Sequence, residues 1–127
     1  MKIDGIGIDV VNVERILYTL ERQRERFKEK VFTDGEWEYA KKRSRGDPEL
    51  MAASLAARWA AKEAVAKALG SGFGKGLYWK NIEIVSGHGG PPYVRLVDAP
   101  SDLQHKRFLL SLSHDYPTAT AMALLLE

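Results

Sequence analysis

Cysteine is absent from these 127 residues, which excludes disulfide frameworks, thiolate nucleophiles and Cys-ligated zinc. The absence suits a reducing compartment, and a cytoplasmic location is the expectation. Long hydrophobic runs are missing too. The longest, Thr118 to Leu126, is about half of what a bilayer crossing needs, so no membrane association is expected. No segment resembles a secretory signal. No G-x-x-x-x-G-K-[ST] stretch occurs, which excludes a Walker A phosphate loop. An excess of one charge is likewise lacking: 19 Lys and Arg against 17 Asp and Glu leave a net +2, too mild to imply nucleic acid. With 45% hydrophobic and 28% charged residues, disorder is not the default, and residues 1–127 read as one domain able to bury its own core.

What is present is an ordered alternation of patterns. Lys2 to Val11 reads as a strand of β-formers punctuated by Gly5 and Gly7, residues that weaken a strand unless another backbone or a ligand must come close. Asn12 is placed to cap a helix over Val13 to Lys30. On it Ile16, Leu20, Phe27 and Val31 share one face, and Arg15, Arg22 and Arg26 fall together about 100° away. Thr33 with Glu36 has capping-box spacing and predicts a short helix to about Arg43. Asp47 and Pro48 then open a long helix to Leu69, with Gly70 as its stop. A glycine-rich exit loop spans Gly70 to Gly76. Beyond it the period changes to two. Lys80–Val85 and Tyr93–Val97 form a hairpin about a turn at Gly87–Pro92, and Pro100 to Arg107 has room for a helical turn. The last two strands, Phe108–Ser113 and Thr118–Leu126, flank the turn His114–Pro117. The order predicts an α+β fold with a mainly antiparallel sheet packed against one long helix and shorter helices.

The long helix carries Arg58, Lys62, Glu63 and Lys67 among alanines. At 100° per residue Glu63 sits about 40° from Trp59, inside the stripe made by Ala52, Leu55, Ala56, Trp59 and Ala66. A carboxylate half-buried there is costly unless a cation accompanies it. Asp9 is the other carboxylate in an apolar setting. Close together, the two would form a hard oxygen site of the kind Mg²⁺ prefers. From spacing alone a second reading stands beside it, with Asp9 turned to solvent and Glu63 paired with Lys67 on the surface. Lys62, Arg58 and Lys67 are together suited to a polyphosphate. His114, where a strand meets a turn, reads by itself as a structural hydrogen-bonder, and no Ser-His-Asp arrangement is evident.

Three segments in order resemble the holo-[acyl-carrier-protein] synthase family of 4′-phosphopantetheinyl transferases. They are Gly5-Ile6-Gly7-Ile8-Asp9-Val10-Val11 with Val13-Glu14-Arg15-Ile16, then Arg58-Trp59-Ala60-Ala61-Lys62-Glu63-Ala64 with Lys67-Ala68-Leu69-Gly70, and Leu112-Ser113-His114-Asp115 before a final hydrophobic strand. The resemblance implies transfer of the phosphopantetheine arm of coenzyme A to a serine of an acyl carrier protein, with release of 3′,5′-ADP. It implies Asp9 and Glu63 as Mg²⁺ ligands and Lys67 steadying a phosphate oxygen, so that Glu63 and Lys67 are the catalytic pair. Arg58 and His114 would hold the nucleotide end of coenzyme A, with Lys62 as their neighbour. Arg15, Arg22 and Arg26 would face the acidic carrier protein. The family's single-copy type further implies a homotrimer with active sites shared between neighbours. Ile8 stands where threonine is common in the family.

A reading from a different class is a noncatalytic α+β module that binds RNA or an acidic protein through the Arg15/Arg22/Arg26 face. Against RNA, the aromatics Trp37, Trp59, Trp79 and Tyr93 form no obvious stacking platform in the sequence.

Overall fold

The computed structural model describes residues 2–127 apart from Lys75 and His88. Lys75 of the glycine-rich loop and His88 of the hairpin turn, both within segments discussed above, therefore lie outside the described residues.

The chain opens with β1 (Ile3–Asn12), which passes directly into α1 (Val13–Val31). The Asn12 side chain accepts a hydrogen bond from the Glu14 amide at 2.7 Å, the cap its position predicts. Helix α1 is not continuous: at Gln23 the backbone leaves the helical region, with φ −140° and ψ 41°. In α2 (Asp34–Ser44) the capping box is complete. Thr33 Oγ1 accepts from the Glu36 amide at 3.2 Å, and Glu36 Oε1 accepts from the Thr33 amide at 2.9 Å. Asp47 caps α3 (Pro48–Ala68), and Pro48 takes its first turn, where a missing N–H costs nothing. Gly70 follows at φ +87°, a left-handed conformation that stops the helix cheaply only as glycine.

A 3₁₀ turn at Trp79–Asn81 leads into the hairpin β2 (Ile82–Gly87) and β3 (Gly90–Leu96), then β4 (Arg107–Asp115) and β5 (Thr118–Leu126). The hairpin strands run further than alternation predicts: Gly87 and Gly90 to Pro92 are strand, not turn. Residues 101–105 form turns instead of a helix. Strand β4 likewise continues through His114 to Asp115. Strands β1, β5 and β4 make one antiparallel sheet with β5 in the centre, and among the described residues β2 pairs only with β3. The antiparallel content is thus divided between two sheets.

Helix α3 is the axis of the molecule. It packs on β1 and β5 along one side and on α1 and α2 along others. Its buried residues include Met51, Ala52, Ala56, Ala60, Ala64, Ala61 and Arg58, which go right round the helix. The sequence pattern predicts an ordinary stripe, but a helix covered on every side has none. Alanine dominates because its neighbours come very close. Gly5 and Gly7 are the matching half of that contact: a Cβ on Gly5 would lie 2.1 Å from the Ala68 carbonyl oxygen, and one on Gly7 would lie 1.9 Å from that of Ala64. Both glycines are required by helix approach. The opposite face of β1 carries Ile6, Ile8 and Val10, each more than half exposed, alongside Met122 and Leu109.

Candidate active site

The close approach of β1 to α3 decides what sits at their crossing. Gly5, Gly7, Asp9 and Val11 alternate onto the helix-facing side of β1, and with Ala64 and Ala68 against the glycines, Asp9 arrives beside Glu63 and Lys67. Lys67 Nζ donates to Asp9 Oδ1 at 3.0 Å and to the Ile8 carbonyl at 2.9 Å. Among the described residues no ion pair joins Lys67 to Glu63, so the surface-pair alternative does not hold. The Asp9 side chain is only 16% exposed, whereas that of Lys67 is half exposed. Burial raises the pKa of Glu63, and the nearby Asp9 carboxylate raises it further, against an opposing pull from Lys67. Two neighbouring carboxylates with one ammonium between them make a compact set of hard oxygen donors beside a half-exposed cation.

Arg58 lies five residues before Glu63 on α3 and is buried, with its guanidinium 4.1 Å from the centroid of the Tyr39 ring on α2. Nη1 reaches the Ser54 carbonyl at 3.4 Å, while Nε and Nη2 have no partner among the described residues. Burial lowers its pKa, and unmet donors of a buried cation are expensive to leave unpaired. His114 shares the helix-facing side of the sheet with Asp9. Its row runs through Ala119 to Val11, and the Asp9 row runs through Ala121 to Leu112. The histidine therefore sits two strands across and two residues along from Asp9, about 10 Å by 7 Å away.

Lys62 is placed otherwise than a phosphate ligand requires. Its side chain is wholly buried and paired with Glu36 at 2.6 Å. Nζ also donates to the carbonyls of Val31 at 2.7 Å and Trp79 at 3.0 Å. All three ammonium donors are thus used inside the protein, so the expectation of Lys62 beside coenzyme A is corrected: its helical neighbour Glu63 faces the β1 contact while Lys62 points into the core. Burial pushes the Lys62 pKa down and the Glu36 pKa up, and each is opposed by its partner's charge.

A concave groove of about 600 Å³ lies between α1 and the 3₁₀ turn, lined by Arg15, Arg26, Phe27, Val31, Trp59 and Trp79 among others. It also reaches Val11, the next helix-facing residue of β1 after Asp9. Trp79 stacks between Phe73 at 4.0 Å and Trp59 at 4.4 Å, and Trp59 continues to Phe27 at 5.5 Å. These tryptophans do stack, but on one another, and leave no splayed platform for bases. Arg22 is not part of the groove wall. The irregular backbone at Gln23 interrupts the 100° spacing between it and Arg26, and its guanidinium lies 4.4 Å over Tyr18.

Residues 5–121 match the model of the 4′-phosphopantetheinyl transferase superfamily. The holo-[acyl-carrier-protein] synthase of Chlamydia trachomatis serovar D is 46% identical over 120 residues, covering 94% of this chain and 97% of that one. The chain belongs to the holo-[acyl-carrier-protein] synthases of the 4′-phosphopantetheinyl transferase superfamily. Among solved structures of such synthases, that of Mycobacterium tuberculosis is similar at a TM-score of 0.75 and 36% identity, covering 98% of each chain. The Helicobacter pylori synthase, solved in complex with coenzyme A, gives a TM-score of 0.80 at 29% identity, with 95% of this chain and 99% of that one covered. In this synthase three site-forming residues escape reading from sequence: Glu36, Tyr39 and Trp79. Glu36 is legible as a capping residue, yet nothing in a capping box says that its second oxygen accepts from the Ile84 amide at 2.8 Å and that the first also holds Lys62. Tyr39 and Trp79 carry no motif at all.

Proposed function

We propose that this synthase transfers the 4′-phosphopantetheine group of coenzyme A to a serine of an acyl carrier protein. The serine hydroxyl releases its proton as its oxygen forms a bond to the phosphorus of the arm, and the bond from that phosphorus to the departing 3′,5′-ADP breaks. The observation that carries the proposal is the crossing of β1 and α3, which brings Asp9, Glu63 and Lys67 together, two residues along β1 from the Val11 that lines a basic groove.

The donor set fits Mg²⁺. Asp9 and Glu63 supply hard oxygens, and no third Asp, Glu or His joins them in a ligand cluster among the described residues, which leaves coordination positions for water and phosphate. When bound there, the ion supplies neutralisation of charge on the pyrophosphate. The half-exposed Lys67 ammonium is held by Asp9 and the Ile8 carbonyl, from which it steadies a phosphate oxygen. Arg58, with two donors unmet, and His114 hold the nucleotide end. The groove takes the acidic carrier protein against Arg15 and Arg26, with Arg22 contributing from its neighbouring turn.

Residues 1–127 act in this reading as one cytoplasmic transferase domain that assembles as a homotrimer with shared active sites. The exposed Ile6, Ile8, Val10, Leu109 and Met122 on the outer sheet face support self-association, since monomers seldom leave such an apolar patch to water. The test is mass spectrometry of apo carrier protein after incubation with coenzyme A, Mg²⁺ and the synthase. A gain of the phosphopantetheine mass is expected, and its absence over a range of carrier proteins would refute the reading.

A further inference from the structure

We propose that Lys62 is a positioning residue: with Glu36 it braces the two walls of the basic groove at a fixed separation for the carrier protein. The inference rests on the transferase reading above and extends it to a residue buried away from the reacting atoms.

The brace is visible in what one nitrogen holds. Val31 ends α1 and lines the groove, Trp79 opens the 3₁₀ turn and lines it from the other wall, and Lys62 Nζ donates to the backbone carbonyls of both. The third donor goes to Glu36 Oε1. Glu36 is itself held by the amides of Thr33 and Ile84, so the starts of α2 and β2 are tied to the same point. The Trp79 ring, stacked between Phe73 and Trp59, is carried by the carbonyl that Lys62 grips. A buried ion pair is a poor source of net stability, because well-packed apolar residues of similar volume often do as well. What apolar residues cannot do is fix two backbone carbonyls and a carboxylate around one centre. The next residue along α3 is Glu63, so the helix that sets the groove's width also carries the catalytic carboxylate. A docked serine is thereby kept in register with it, and small misplacements there are costly.

The experiment compares wild-type synthase with K62M and with the charge-balanced K62M/E36Q. K62M alone leaves a buried carboxylate unpaired and should melt far below wild type. The double variant removes that charge but not the loss of the brace. For it we expect KM for apo carrier protein to rise about tenfold while KM for coenzyme A changes less than about twofold. Acrylamide quenching of tryptophan fluorescence should rise as well, since the Trp59–Trp79 wall loosens. If the double variant fails to fold, K62R replaces it: it keeps a charge beside Glu36 but cannot present three donors to these acceptors from one nitrogen. A folded variant with wild-type carrier KM and wild-type quenching overturns the brace. Failure of wild-type synthase to modify any carrier overturns the transferase reading instead, and quenching still decides the brace.

Discussion

Gly7→Ala tests the geometry from which the candidate site follows. The new Cβ would lie 1.9 Å from the Ala64 carbonyl oxygen and 2.8 Å from the Ala68 nitrogen. Both are backbone atoms, so no flexible side chain can swing away. Relief to even the 3.0 Å at which real Cβ contacts begin requires β1 and α3 to part by more than an ångström at that point. Overpacking of this kind costs about 3 kcal/mol at the upper end of its usual range. Alanine returns about 0.4–1 kcal/mol by restricting the unfolded chain. The net loss is about 2 kcal/mol, or about 8 °C in melting temperature for a chain of this size. Activity should fall further than stability, because Glu63 adjoins Ala64 and moves with it; a displacement of about 1 Å is worth about 100-fold in rate. The assay pairs thermal unfolding by circular dichroism with the rate of phosphopantetheine transfer. Gly90→Ala is the control, since nothing among the described residues lies within 4 Å of its added Cβ and it should match wild type in both. If Gly7→Ala melts and turns over like wild type, the steric account of the β1–α3 crossing is wrong.

Glu63→Gln, which keeps volume and loses charge, should abolish transfer without loss of folding. Because the folded-state pKa of Glu63 is raised, its contribution to stability is present below the unfolded pKa and lost as pH rises through the folded one. In metal-free buffer the variant should therefore gain on wild type in melting temperature as pH climbs past that pKa, and a pH-independent difference would contradict the burial of Glu63. Arg15→Glu with Arg26→Glu should raise KM for the carrier protein by about tenfold or more at low salt and by less at high salt, with KM for coenzyme A unchanged in the same steady-state assay. Ile8→Lys, on the exposed outer face of β1, should reduce the mass measured by analytical ultracentrifugation from trimer to monomer; an unchanged mass would remove that face from the interface.

Local chemistry by itself determined much of this protein. Asn12, Thr33 with Glu36, and Asp47 with Pro48 mark helix starts because a cap is made by side chain and backbone within a few residues. Alternation marks the strands for the same local reason. Asp9, Glu63 and Lys67 were legible as an anomaly, polar groups where the pattern asks for apolar ones. Tertiary structure alone decided which charge was which. The helical wheel assumes one buried face, whereas α3 is enclosed on all sides, so Lys62, assigned to phosphate, is the wholly buried charge and Glu63 the accessible one. The wheel likewise assumes an unbroken helix, and the irregular backbone at Gln23 breaks the spacing between Arg22 and Arg26, of which Arg26 lines the groove and Arg22 does not. Glu36 reaching Lys62, Tyr39 under Arg58 and Trp79 against Trp59 join residues far apart in the chain. Such contacts follow from how elements pack, and packing answers to shape and burial summed over the whole chain.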